Sequence, residues 1–214
     1  MLMKAQQIRH IVWDWNGTLL DDTSACVAAL NRMLEKRRLP PVDIRQYQET
    51  FGFPVKDYYL TLGFDFARDN WDDVAREYHD FYAITSASVP LRAGAVELLQ
   101  RLRDRGMPMS ILSACELSIL EQMLAARGIR SFFEQVRGLS NLFATSKVGI
   151  GRALLADIHL PADQVLLIGD TLHDHEVAQE LGCKCLLVNG GHQAEHRLAG
   201  CACDIVSDLH DVFA

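Results

Sequence analysis

The feature that most restricts how this chain can fold is Ile11-Val12-Trp13-Asp14-Trp15-Asn16-Gly17-Thr18, an apolar run that stops at a carboxylate and then turns through a glycine. Such a run reads as a central strand, and in an open α/β sheet ligands bind in the crevice outside the carboxyl ends of the strands. Asp14 is therefore expected at a strand end, held out where chemistry can occur. Gly17 and Thr18 suit a tight turn, with a hydroxyl able to orient the Asp14 carboxylate.

After Asp22 the strand signals stop. Cys26, Val27, Leu30, Met33 and Leu34 recur at helical spacing, which predicts a helix capped by Thr23 or Ser24 and ended by Leu39-Pro40-Pro41. Further helices are predicted over 44–51, 55–62 and 70–83, with Gly52, Pro54 and Gly63 as punctuation. From Val89 onward strand and helix signals alternate, as βα units of a parallel sheet require. Strand-like runs cover 108–113, the neighbourhood of Val136, 164–168, 185–188 and 205–206. Between them lie helices over 94–105, around Leu117, Leu120 and Leu124, through Ile150, Leu154, Leu155 and Ile158, and through Val177 and Leu181. Near-continuous apolar strands such as 165–168 suit a sheet covered on both faces. The expected architecture is α/β: a doubly wound, Rossmann-like parallel sheet core made of residues 1–20 and 89–214, interrupted by an α-helical cap at 21–88.

A chain of 214 residues with 49% hydrophobic content can bury a sizeable core. No run approaches the roughly 18 apolar residues of a membrane span, and residues 1–7 lack the apolar centre of a signal peptide. The expectation is a cytoplasmic protein with no membrane partner. A formal charge of −7, with Lys36-Arg37-Arg38 the one basic cluster, argues against a nucleic-acid partner. The trio suits the end of a helix, where cations complement the helix dipole. Four of the six cysteines form two Cys-x-Cys pairs, Cys183/Cys185 and Cys201/Cys203, with His192 and His196 between them. A zinc site would use such residues, but Cys-x-Cys on a strand also sets two small apolar side chains on one face, and that is the reading adopted.

Asp14-Trp15-Asn16-Gly17-Thr18 resembles the first motif of the haloacid dehalogenase superfamily of phosphohydrolases, an apolar strand followed by D-x-D-G-T. Ser113 in Ile111-Leu112-Ser113-Ala114 resembles the second motif, and Lys147 in Thr145-Ser146-Lys147 the third. Leu166-Leu167-Ile168-Gly169-Asp170-Thr171-Leu172-His173-Asp174 resembles the fourth, an apolar strand followed by G-D-x-x-x-D. The motifs fall in family order across essentially the whole chain, and the family inserts a helical cap just after the first motif. The resemblance implies a phosphatase of small phosphorylated metabolites, similar to phosphoglycolate phosphatases, monomeric or homodimeric. It implies Asp14 as nucleophile, with Ser113, Ala114, Lys147 and Thr18 around the phosphate. It also implies Mg²⁺ held by Asp14, Asp170, Asp174 and the backbone carbonyl of Asn16, matching that ion's demand for hard oxygen ligands.

Asn16 departs from the pattern, which has an acid–base Asp at that position. An amide exchanges no proton at neutral pH, so general acid–base help of roughly 10²–10⁴-fold is forgone there. The expectation is either a slow enzyme that favours activated aryl or acyl leaving groups, or a catalytically impaired member that binds Mg²⁺ and phosphate as a regulator. Ser113 could alternatively cap the helix that begins near Glu116. Lys56, in Phe51-Gly52-Phe53-Pro54-Val55-Lys56, is a candidate to meet a substrate carboxylate or second phosphate. His173 and His175, which flank Asp174, are expected mostly at the surface or behind the site. His192, after a strand end, is a weak ligand candidate.

Overall fold

The computed structural model describes residues 8–144 and 146–213. The N-terminal stretch 1–7 and Thr145, both used in the sequence reading, lie outside them. In chain order the elements are β1 (His10–Trp13), α1 (Thr23–Lys36), α2 (Ile44–Thr50), α3 (Val55–Thr61), α4 (Trp71–Thr85), α5 (Ala95–Asp104), β2 (Met109–Glu116) and α6 (Leu117–Ala126). They continue with β3 (Gln135–Leu139), α7 (Val148–Ile158), β4 (Val165–Gly169), α8 (Leu172–Leu181), β5 (Lys184–Val188), α9 (Glu195–Leu198) and β6 (Asp204–Val206).

The six strands form one sheet in the order β3-β2-β1-β4-β5-β6, and every pairing is parallel. This is the doubly wound arrangement. The order reverses between β1 and β4, so the crevice between their carboxyl ends is the expected ligand site. Side-chain alternation divides the strands between two layers. Ile11, Trp13, Ile111 and Ile168 pack with Leu99 of α5 and Leu120 of α6. Val12, Leu112 and Leu167 pack on the other face with Leu154 of α7 and Val177 of α8. Cys185 is buried in this second layer, and Cys183, Cys201 and Cys203 pack against it at half burial, in keeping with small apolar side chains.

Helices α1 to α4 gather around a separate apolar cluster that includes Leu30, Met33, Leu34, Tyr58 and Tyr59. Asn70 caps α4 by accepting from the Asp72 and Asp73 amides, and Asp43 forms a capping box with Gln46 at α2. Arg37, just past α1, bonds Asp69 and Glu77 at 2.8 and 2.7 Å and ties α1 to α4.

Two caps differ from expectation. α1 starts at Thr23 with Asp22 in the capping position, and Asp22 makes no cap bond because its carboxylate turns to other donors. α6 is capped by Glu116, which accepts from the Ile119 amide, and not by Ser113. The cause is a register irregularity between Leu112 and Glu116 that carries β2 past Ser113.

Candidate active site

Asp14 leaves the tip of β1 while its amide still bonds the Ile168 carbonyl of β4 at 2.8 Å. The carboxylate is thereby fixed over the β1/β4 crevice. Gly17 makes the following turn possible in two ways. Its φ is +73°, and a Cβ there would come within 2.4 Å of Asp170 Oδ2. Asp170 follows β4, and Asp174 lies in the first turn of α8, capped by Thr171. Their carboxylates and that of Asp14 each offer an oxygen within 4.8 Å of the others, and all three residues are buried.

Lys147 enters from the start of α7. Its ammonium donates to Asp14 Oδ1 at 2.5 Å and to the Leu112 carbonyl at 3.1 Å, and it sits 2.6 Å from Asp174 Oδ1. Burial alone would lower the Lys147 pKa, yet Asp14 and Asp174 raise it above the ordinary value. Burial pushes Asp14 up; Lys147 opposes the shift while Asp174 and Asp170 add to it. Asp170 is also raised by burial, and Asp174 is lowered because Lys147 outweighs its burial. Three buried carboxylates thus face a single ammonium. The donor set is hard oxygen with an excess of negative charge, and a divalent cation fits it.

Thr18 donates to Asp170 Oδ1 at 2.8 Å and reaches Asp14 Oδ2 at 3.4 Å. It therefore orients two carboxylates from behind and does not line the cavity. Ser113 and Ala114 do line it, together with Asp14, Asn16, Lys147 and Asp174. Lys56 is not brought to the site. Val55, Tyr58 and Tyr59 face the cavity, while Lys56, one position round the helix, lies over the rings of Phe66 and Trp71 at 5.2 and 5.9 Å. His173 also departs from expectation: it is buried, lines the cavity and stacks on Phe53 with ring centroids 4.5 Å apart. His175 is half-buried and outside the lining.

Asp22 is the residue that sequence reasoning missed. Fully buried, it accepts from Tyr82 Oη at 2.6 Å, the Asn16 side-chain amide at 2.7 Å and the Gly17 backbone amide at 2.8 Å. His192 Nε2 lies 3.3 Å away, and its Nδ1 is 3.0 Å from the Tyr47 hydroxyl. Burial would raise the Asp22 pKa, but His192, Tyr82 and Asn16 bring it down to about 2. Burial would likewise lower His192, but Asp22 raises it to about 9. Asn16 donates a second bond to Tyr82 Oη at 2.9 Å. An amide suits this position because it gives hydrogens to an ionised neighbour. The aspartate of the motif would set a second carboxylate against Asp22.

The helical insert is stitched to the core beside His192. Gln48 donates to the Gly191 carbonyl at 2.8 Å, Gln193 donates to the Phe51 carbonyl at 2.9 Å, and Arg197 bonds the carbonyls of Gln48 and Phe51 at 2.9 and 2.7 Å. A cavity of about 130 Å³ remains between insert and core.

Comparison with known proteins places these observations in context. The model of the haloacid dehalogenase-like hydrolase family matches residues 11–188. The Dickeya dadantii protein "Probable phosphatase IndB" is 26% identical, with 92% of this chain and 88% of that protein covered. A Caulobacter vibrioides phosphoglycolate phosphatase is 28% identical, over 86% of this chain and 81% of its own. The solved structure of a haloacid dehalogenase-like family hydrolase from Streptococcus pneumoniae shares the fold with a TM-score of 0.80, at 23% identity and 94% and 93% coverage.

Proposed function

The chain belongs to the haloacid dehalogenase-like hydrolase family, and we propose that it hydrolyses small phosphate monoesters through an aspartyl-phosphate on Asp14. The observation that carries this reading is the convergence of Asp14, Lys147, Asp170 and Asp174 in one buried cluster at the β1/β4 crevice, beneath the lining residue Ser113. The phosphatases among its relatives support the reaction class.

In this reading Asp14 attacks phosphorus, and the bond from phosphorus to the alcohol oxygen breaks. Water then attacks the acyl phosphate, which returns the Asp14 carboxylate and releases inorganic phosphate. Lys147 offsets charge on the attacking carboxylate and on the phosphoryl oxygens. Ser113 is positioned to donate to a phosphoryl oxygen. Asp14, Asp170, Asp174 and the Asn16 carbonyl would hold Mg²⁺, which supplies charge neutralisation when bound. Residues 21–88 act as a cap that shields the acyl phosphate from bulk water.

The alcohol oxygen needs a proton on departure, and the Asn16 amide, already committed to Asp22 and Tyr82, supplies none. Turnover should therefore favour leaving groups stable as anions. A phosphate-release assay with Mg²⁺ tests this. Aryl and acyl phosphates are expected to turn over faster than alkyl phosphates of similar size; equal or faster turnover of the alkyl compounds would remove the role assigned to Asn16. Failure to release phosphate from any of them would favour the impaired, phosphate-binding reading, for which Asn16 is the supporting observation.

A further inference from the structure

We propose that the cavity above Asp14 selects a phosphate monoester whose alcohol portion is a single uncharged aromatic ring, and that it disfavours carboxylated substrates such as phosphoglycolate. The inference rests on the phosphatase reading for its chemistry and goes beyond it in naming the substrate class.

The first argument is the wall. Nine of the residues lining the cavity are Phe, Tyr or Trp. Their rings are already arranged as aromatic partners prefer: Phe51 meets Phe53 at 5.5 Å and 70°, and Tyr58 at 5.4 Å and 85°. Trp71 meets Phe143 of the core at 6.2 Å, so the box is closed from both sides. The Tyr47 and Tyr82 hydroxyls are turned to His192 and Asp22, which leaves their ring surfaces for the cavity.

The second argument is size. The cavity measures about 130 Å³ in all; since an apolar cavity of roughly 150 Å³ takes one benzene ring, the alcohol portion can be no larger than a single ring. The phosphate end lies at Asp14, Ser113 and Lys147, which line the same cavity. A ring attached directly or through one carbon would occupy the space between that end and the aromatic wall.

The third argument is charge. A substrate carboxylate held away from the phosphate would need a cation in the wall built by α1 to α4 and their loops. Among the described residues, that wall contributes no Lys or Arg to the lining. Its one imidazole, His79, lies 3.3 Å from the Leu142 carbonyl. The nearest lysine in sequence, Lys56, lies over Phe66 and Trp71 instead. On the core side Lys147 is engaged by Asp14 and Asp174, and His192 by Asp22. The remaining imidazole of the lining, His173, stacks on Phe53 and has its Nδ1 3.6 Å from Glu176. An organic carboxylate would lose its water here and find no lysine or arginine free to pair with it, whereas an aromatic ring meets the aromatic wall.

Binding and turnover are measured separately. The Mg²⁺-loaded protein is titrated calorimetrically with benzylphosphonate and with phosphonoacetate, which carry the ring and the carboxylate on a non-hydrolysable head. Benzylphosphonate is expected to bind at least tenfold tighter; equal or tighter binding of phosphonoacetate would overturn the proposal. Phosphate release from acetyl phosphate, which has neither ring nor distal carboxylate, reports the phosphatase reading alone. Turnover of acetyl phosphate without a benzylphosphonate preference rejects the ring and keeps the enzyme. The converse pattern keeps the ring site and rejects the enzyme. Phe53→Arg, which adds a cation to the wall, should lower the benzylphosphonate preference severalfold, and an unchanged ratio would count against the wall as the selecting element.

Discussion

The two sides of the cavity solve opposite problems. The sheet edge concentrates charge: three buried carboxylates offer oxygens within 4.8 Å of one another, Lys147 pairs with two of them, and Asp22 and His192 form a second buried pair beside them. The wall from α1 to α4 contributes mainly aromatic and aliphatic surface and, among the described residues, no Lys or Arg. Chemistry common to many substrates needs fixed charge, whereas recognition of a leaving group needs shape. The contrast assigns these tasks to different parts of the chain.

Removing Lys147 should expose the strength of the charged side most severely. Lys147→Ala strands Asp14 and Asp174 without their ammonium, and breaking a buried ion pair costs about 3–5 kcal/mol. Urea unfolding in metal-free buffer should report a loss of that order. A change comparable to that of a surface lysine would mean that the cluster is far more solvated than its burial indicates.

Asn16→Asp tests the boundary between the two sides. The new carboxylate would face Asp22, itself held ionised with a pKa of about 2, at a cost of about 1–3 kcal/mol for a poorly matched buried group. Stability should fall at neutral pH, while the rate on alkyl phosphates relative to aryl phosphates should rise. A variant as stable as the wild type would break the argument that Asn16 is matched to Asp22.

His10 sharpens the comparison by showing buried polarity outside the cavity lining. It lies on β1, 2.9 Å from Ser110 Oγ, and burial pushes its pKa from 6.5 down to about 4. The native imidazole stays neutral while the unfolded one takes up a proton below pH 6.5. Its contribution is therefore full above that value and declines as the pH falls towards 4, by about 3 kcal/mol at most. Unfolding titrations should show a shallower decline over this window in His10→Asn. An identical slope would assign the pH dependence to other groups.

The smallest effect belongs to the helical side. Burial opposes ionisation of Glu77, but Arg37 and Lys36 together hold its carboxyl below the usual range. Arg37→Ala should cost about 1 kcal/mol at neutral pH, since the cluster is only partly shielded. That difference should shrink as the pH falls through the lowered Glu77 value, because protonation of Glu77 removes one of the two Arg37 ion pairs in the parent as well. Persistence of the full difference in acid would point to packing of Arg37 on Phe64, 4.8 Å away.

The charged side was legible in the sequence for a physical reason. Asp14, Asp170 and Lys147 each sit where a strand ends or a helix begins, and Asp174 lies one turn beyond its strand, so local pattern and motif spacing locate them. The strands and the helices other than the short α9 were legible from pattern, including the short strand around Val136. Asp22 was not, because its meaning depends on Tyr82 and His192, which are distant in sequence and meet only in the fold. Lys56 was misread for a related reason: a loop sequence does not fix which face of the following helix turns inward. The stack of His173 on Phe53 likewise joins a helix to a loop remote in sequence.

The central claim is that Asp14 carries the phosphoryl group, and acid quenching during turnover of radiolabelled acetyl phosphate, followed by peptide mapping, tests it most directly. The account predicts acid-stable, base-labile label on the peptide containing Asp14. It also predicts none in Asp14→Asn, whose turnover should fall by roughly 10⁴-fold or more. Turnover that persists in Asp14→Asn, or label that maps to another residue in the wild type, would contradict it.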